Sequence, residues 1–286
     1  MSASTRAFWL NLPIGNKCRP CAPWLAAQMS LTAPDPIEYL DRAAASEAGR
    51  DYKARLLAGL RLRPGQVVLD VGCGPGTDLA ALAAAVGAAR GGGRVVGIDT
   101  DPEMVRVARR RTADLGTIDV VTGDAQALPL ATGSIDRARL DRVTQHLTDP
   151  TGALAELHRV VRPDGLVGVA EPDWYTLAID DVDLATSAAF TRFVADRFRH
   201  GAIGRQLVRR AGAAGFAVRE AAAAAVLFRD AASAEQILGL TRNVARAAAA
   251  GAIDAAAGAA WLERVTTGPT IAAVTLFTVI AAPLLR

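Results

Sequence analysis

The run Val67-Val68-Leu69-Asp70-Val71-Gly72-Cys73-Gly74-Pro75-Gly76 decides how this chain is read. Its apolar, β-branched first half predicts a buried strand. The glycines that follow predict a tight turn where the backbone comes close to a ligand. The apolar pattern beyond the turn is helical, and a helix opening near Thr77 would aim free N–H groups at an anion. Two common nucleotide fingerprints fail here. The dinucleotide pattern G-x-G-x-x-G meets Thr77 counted from Gly72, and Leu79 counted from Gly74, where its third glycine should stand. The Gly-Lys-Ser/Thr end of a phosphate loop is absent as well.

Further strand-like segments follow in order, several of them ending in acids. Arg94-Val95-Val96-Gly97-Ile98-Asp99 is the second, and Val120-Val121-Thr122-Gly123-Asp124-Ala125 closes the third. Ser134-Ile135-Asp136 opens a fourth that ends Arg139-Leu140-Asp141. Arg162 to Glu171 supplies a turn and a fifth. This succession resembles the class I S-adenosylmethionine-dependent methyltransferases, in the small-molecule branch of the methyltransferase-domain 11 and 25 type. The resemblance implies an α/β fold: a doubly wound, mostly parallel, seven-stranded Rossmann-like sheet. It also implies S-adenosylmethionine as cofactor, S-adenosylhomocysteine as product, and no metal.

By the same resemblance, Asp70, Gly72, Cys73, Gly74 and Gly76 border the methionyl end of the cofactor. Asp99 sits at the ribose; Met104, Asp124 and Ala125 at the adenine; and Thr100 and Leu140, by the ends of the second and fourth strands, also border the cofactor. One carboxylate gripping two ribose hydroxyls makes charge-assisted hydrogen bonds worth about 1.5–3 kcal/mol each. Each assignment has a plainer rival. Asp99 could cap the helix that Asp101-Pro102-Glu103 opens, Asp124 could close its own turn, and Met104 could simply fill core.

The acceptor side is less legible. His146, in Gln145-His146-Leu147, is the candidate general base, with a structural hydrogen-bonding role as its rival. Asp141 and Arg142 at the fourth strand's end, Glu171, Trp174 and Tyr175 after the fifth, and Tyr39 near the N-terminus are candidate substrate residues. Trp174 has the alternative of lying buried in a capped loop under neighbouring helices. The Asn-Pro-Pro-Tyr signature of adenine-N6 and glutamine methyltransferases is missing. The expected reaction is therefore methylation of a small, partly aromatic or lipophilic molecule on O, N or C, in specialised metabolism. An RNA or protein methyltransferase and a non-methylating cofactor-binding relative are the alternatives.

Organisation and composition agree. A chain of 286 residues, 51% hydrophobic, suffices for one α/β domain with additions. Its net charge of +3 comes from scattered arginines rather than a basic run, and aromatic content is 5%, so no nucleic-acid footprint is indicated. Cys18, Cys21 and Cys73 are too few for a disulfide framework or a paired zinc site. No transmembrane segment is expected, a cytoplasmic location is, and a homodimer is allowed. Residues 1–34 read as an N-terminal extension, with Met29 the expected natural start, and 35–286 as the methyltransferase domain. Within it, 35–62 form a helical lid carrying Tyr39 and Tyr52, 63–175 the cofactor-binding core, and 176–286 the substrate-side half. The apolar run from Ile271 predicts a last strand paired with Phe216–Phe228, and the helical spacing over 231–265 predicts an insertion before it.

Overall fold

The computed structural model describes residues 35–87 and 92–284, so the expected extension with Met29, Cys18 and Cys21 lies outside the described residues. Two helices come first, α1 (Pro36–Ala45) and α2 (Glu47–Leu60). The core then alternates β1 (Val67–Val71), α3 (Leu79–Ala85), β2 (Arg94–Asp99), α4 (Pro102–Arg111), β3 (Ile118–Thr122), β4 (Ile135–Asp141), α5 (Pro150–Val160) and β5 (Val161–Ile179). After α6 (Leu184–Asp196) and α7 (Ile203–Ala213) comes β6 (Phe216–Phe228). The predicted insertion is three helices, α8 (Ala231–Leu238), α9 (Leu240–Ala249) and α10 (Ala255–Thr267), ahead of β7 (Ala272–Pro283).

The strands lie in the order β3-β2-β1-β4-β5-β7-β6, parallel except that β7 runs against both its neighbours. Leaving β1, the chain winds outward to β3 and then returns to the other side of β1 as β4. The carboxyl ends of β1 and β4 therefore flank the switch point where open α/β sheets bind ligands. Apolar residues of α5 and α7, such as Leu154, Leu157 and Leu207, pack with Leu69, Val71 and Leu140 on one face. On the other, α3 and α4 pack with Val68, Val95 and Val120, and α2 packs with Ala170 and Ile280. Helices cover both faces, as parallel strands buried on both sides require.

Three local features refine or extend the sequence reading. The helix predicted near Thr77 begins at Leu79. Behind β4 stands a single 3-10 turn, Thr144–His146, before α5. The stretch Glu171–Tyr175, expected as a loop, continues β5 in pairing with β7, with a register shift between Asp173 and Ala178. Pro172 is tolerated because β4 pairing ends at Asp141↔Ala170, leaving β5 with a free edge beyond that point. The elongated β5, β6 and β7 carry α6 and the insertion around a separate core. Trp261 and Phe190 are both fully buried at its centre, and the Trp261 indole donates to Ser187 Oγ at 2.7 Å.

Candidate active site at the carboxyl ends of β1 and β4

The turn after β1 holds Gly72, Gly74 and Gly76 at φ +70, +54 and +80, a region costly to residues with a Cβ. Its start is clamped to β2, since the Gly72 and Cys73 amides both donate to Ile98 O at 2.7 and 3.0 Å. A Cβ on Gly72 would come within 2.3 Å of Val143 Cγ2, so this glycine serves packing inside the fold. A Cβ on Gly74 would meet only Leu40 Cδ1 of α1, at 3.3 Å. Gly74 thus faces a space roofed by α1 and otherwise open, which suits close approach of a ligand to the backbone.

The helix that follows is not an anion cradle. Its N-cap Asp78 makes no capping bond. The Asp78 carboxylate turns instead to Lys53 Nζ at 2.6 Å and Arg139 Nη2 at 2.5 Å, and its negative charge there disfavours an anionic ligand. Burial opposes ionisation of Asp78, but Arg139 and Lys53 outweigh it and hold the pKa down at about 2.

Asp99 ends β2 beside the glycine turn. One carboxylate oxygen accepts from the Gly74 amide and the other from the Asp101 amide, both at 2.9 Å. The capping role falls to Asp101, which accepts from Glu103 N at 2.8 Å. Each Asp99 oxygen therefore keeps acceptor capacity for a diol. Burial lifts its pKa above the ordinary carboxylate value against these N–H donors. Thr100 beside it is exposed. Asp124 is exposed and closes its own turn, accepting from Gln126 N at 2.8 Å while its carbonyl accepts from Ala127 N. Its second oxygen has only a 3.4 Å contact to Gln126 Nε2 and remains an acceptor. Ala125 and Met104 are buried, and Met104 belongs to none of the apolar clusters. The Cys73 thiol is pushed well up by burial and stays protonated. Leu140 is fully buried in the core, so only its backbone can reach a ligand.

On the acceptor side, lid and sheet share a buried polar network. Tyr52 on α2 donates to Asp141 Oδ1 at 2.9 Å, and Lys53 Nζ lies 3.6 Å from Asp141. Arg139, in the middle of β4, makes two bonds to Asp70 at 2.7 and 3.2 Å besides that to Asp78. Burial opposes the charge on Arg139, but Asp70 and Asp78 raise its pKa well above the ordinary value. Through Lys53, Asp78 and Arg139 the lid is tied to the motif aspartate Asp70. A second latch lies at the surface, where Arg111 of α4 donates to both oxygens of Asp41 on α1.

Arg142 follows Asp141 in the left-handed region, φ +59, an uncommon conformation for a residue with a side chain. Its Nε is buried, 3.4 Å from Asp141, and makes no hydrogen bond. Its terminal amino groups have no partner among the described residues. Burial works against this charge too, yet Tyr52, Asp141, Tyr39 and Glu171 facing it hold the pKa up. Glu171 is fully buried. Thr144 donates to its Oε1 through both amide and hydroxyl, and Oε2 has no partner among the described residues. Burial lifts its pKa to about 8, so it is a neutral acid at neutral pH. Asp141, Arg142 and Glu171 are thereby brought together, with Tyr39 on α1 within electrostatic reach of Arg142.

His146, Trp174 and Tyr175 stand otherwise. Trp174 stacks on Phe198 (centroids 4.3 Å apart, 6° between planes) and donates to Gln145 Oε1 at 2.7 Å, and the His146 ring lies 6.4 Å from Phe198. Trp174 belongs to the apolar cluster under the insertion, which is the burial role set against substrate contact. Burial and the Arg142 charge hold the His146 pKa down at about 3, which makes it a weak proton acceptor. Tyr175 donates to Asp196 at 2.6 Å with Arg192 over its ring, on the outer side of α6 and in no contact with the network. Sequence reasoning missed Lys53, Asp78, Arg139 and Thr144. Arg139 was findable, since a charge inside a central strand needs a buried partner.

Comparison with known proteins agrees with this geometry. Residues 69–169 match the family described as Methyltransferase domain. A 37.1 kDa protein of transposon TN4556 from Streptomyces fradiae is 52% identical over 249 residues, covering 87% of this chain and 71% of that protein. The demethylmenaquinone methyltransferase of Staphylococcus aureus is 33% identical over 133 residues, and the chain spans 54% of its length. Among solved structures, the YcgJ protein of Bacillus subtilis aligns over 83% of this chain and all of its own (TM-score 0.60, 15% identity). Geranyl diphosphate methyltransferase in complex with S-adenosylmethionine aligns over 89% and 94% (TM-score 0.52, 15% identity). At these identities the structural likeness speaks for the fold. Together with the motif order seated on that sheet, these matches place the chain in the class I S-adenosylmethionine-dependent methyltransferase family.

Proposed function

We propose that this chain transfers a methyl group from S-adenosylmethionine to a small molecule held between the β4–β5 edge and the helical lid. The observation that carries the reading is Asp99, a half-buried carboxylate bonded to the Gly74 amide under α1 with acceptor capacity to spare. Asp99 would hold the ribose, Gly74 would let the methionyl end pass, and Asp124 with Met104 would take the adenine. The bound cofactor supplies an electrophilic methyl on a sulfonium. Arg142 and Glu171 would then orient the acceptor, the first through its open guanidinium, the second as a neutral hydrogen-bond donor. Alignment of this kind accounts for roughly 7–11 kcal/mol of barrier in favourable cases.

His146 at about 3 is not suited to remove a proton at neutral pH, and Glu171 at about 8 holds its proton in most molecules there. That favours an acceptor already nucleophilic at attack: an ionised oxygen, an amine or an electron-rich carbon. The names of the relatives, demethylmenaquinone and geranyl diphosphate methyltransferases, favour a small acceptor over RNA or protein. The test is transfer of label from methyl-labelled S-adenosylmethionine to small-molecule extracts, with RNA and protein fractions alongside. Label in the small-molecule fraction is expected. Label in RNA or protein alone overturns the acceptor class, and none in any fraction overturns the activity.

A further inference from the structure

Away from the acid-rich network, three arginines gather where α6 meets the insertion. Arg242 and Arg246 are four residues apart on α9 and so share one face. Helix α9 packs on α6, whose C-cap is Arg197, with its guanidinium 5.6 Å from the Phe193 ring. None of the three forms an ion pair or a hydrogen bond to a carboxylate among the described residues. Arg242 Nε is buried without a hydrogen-bond partner among the described residues. The segments outside the described residues contain no Asp or Glu that could serve. Elsewhere the arginines of this chain routinely find acids, as Arg192 finds Asp196 and Arg264 finds Asp181.

Burial and then the neighbouring Arg242 charge push Arg197 below its ordinary pKa. Arg246 is pushed down by burial, Arg197 and Arg242 in turn. Arg197 is exposed and Arg242 and Arg246 are half-buried, so these like charges, which repel one another, are open to an anion from solvent. Arg197 precedes Phe198, the ring stacked on Trp174 and next to His146.

We propose that Arg197, Arg242 and Arg246 form a phosphate-binding subsite for a phosphate- or diphosphate-bearing small molecule. Guanidinium forks match phosphoryl oxygens bidentately, and three of them suit a diphosphate better than a single carboxylate. A small ligand is favoured over nucleic acid because the arginines meet at one helix junction rather than along a stripe. The assignment deepens the methyltransferase reading, but its test is independent of cofactor binding.

Inorganic pyrophosphate is titrated calorimetrically into the full chain at fixed ionic strength, with S-adenosylhomocysteine titrated separately. Expected is one saturable pyrophosphate site. Arg246→Met and Arg242→Met each weaken it at least tenfold, and Arg246→Lys less so. Arg192→Met on the outer side of α6 leaves it unchanged, as it does S-adenosylhomocysteine affinity. Should Arg242→Met fail to fold, Arg246→Met carries the same reading. Absence of saturable binding, equal weakening by Arg192→Met, or tighter binding of a 12-nucleotide RNA than of pyrophosphate each overturns the proposal.

Discussion

Substituting Gly74 by alanine separates a glycine kept for a ligand from one kept for the fold. Both Gly72 and Gly74 hold positive φ, so alanine at either costs about 1–2 kcal/mol in backbone strain. Gly72→Ala adds a Cβ that would stand 2.3 Å from Val143 Cγ2, and relieving such overlap costs a further 1–3 kcal/mol or so. The total of about 2–5 kcal/mol corresponds to a drop in Tm of roughly 5–15 °C for a chain of this size. Gly74→Ala places its methyl 3.3 Å from Leu40 Cδ1, at the tip of a flexible side chain, and its stability loss stops at the strain. For S-adenosylhomocysteine the order inverts. The Gly74 methyl enters the space assigned to the cofactor and costs about 1–3 kcal/mol of binding, roughly 5- to 150-fold in Kd. Thermal unfolding of the free variants with calorimetric titration of S-adenosylhomocysteine measures both quantities. Unchanged cofactor affinity in a folded Gly74→Ala variant would refute the reasoning.

Arg139→Met leaves Asp70 buried beside no cation and should cost about 3–5 kcal/mol by chemical unfolding, whereas adding Asp70→Leu should recover much of it. A single variant no worse than the double would mean the pair is not what pins β1 to β4. Acid–base linkage gives two contributions of opposite sign, which offset each other between about pH 4.5 and 6.5 and leave the Glu171 slope uncancelled above that. Glu171, at about 8 folded against about 4.3 unfolded, keeps its proton in the folded chain after the unfolded chain has lost it. Stability therefore falls as pH rises through that window. Between pH 6.5 and 8 the loss is about 1–2 kcal/mol, and Glu171→Gln should flatten it. His146, at about 3 folded, acts the other way, because the unfolded chain takes up a proton first and stability falls as pH drops from about 6.5 towards 3. Equal slopes above pH 6.5 in wild type and Glu171→Gln, measured by urea unfolding, would contradict the assignment.

The glycine turn and the strand-end acids were legible because their requirements are local. A strand that ends in glycines, and acids at the ends of the next two strands, are fixed by backbone geometry and show directly in sequence. The β6–β7 hairpin and the insertion were legible for a similar reason, as periodicity changes from alternation to helical spacing and back. The acceptor half depends on long-range pairing. Thr144 meets Glu171 across 27 residues and Tyr52 meets Asp141 across 89, separations that carry no periodic signal. Asp78 stands at the N-cap of α3 but serves as the counter-ion of Lys53 and Arg139. Trp174 and Tyr175, adjacent in sequence, part company because alternate residues of an extended strand point to opposite faces. The elongation of β5 through Pro172 was hidden by the proline itself, which argues against a central strand unless one edge is known to be free.

The most direct test of the central claim is calorimetric titration of the full chain with S-adenosylhomocysteine, repeated for Asp99→Ala. The account predicts one saturable site per chain, weakened in the variant by about 1.5–3 kcal/mol, roughly 10- to 150-fold in Kd. Absence of saturable binding to the wild-type chain, or an affinity that Asp99→Ala leaves unchanged, would contradict it.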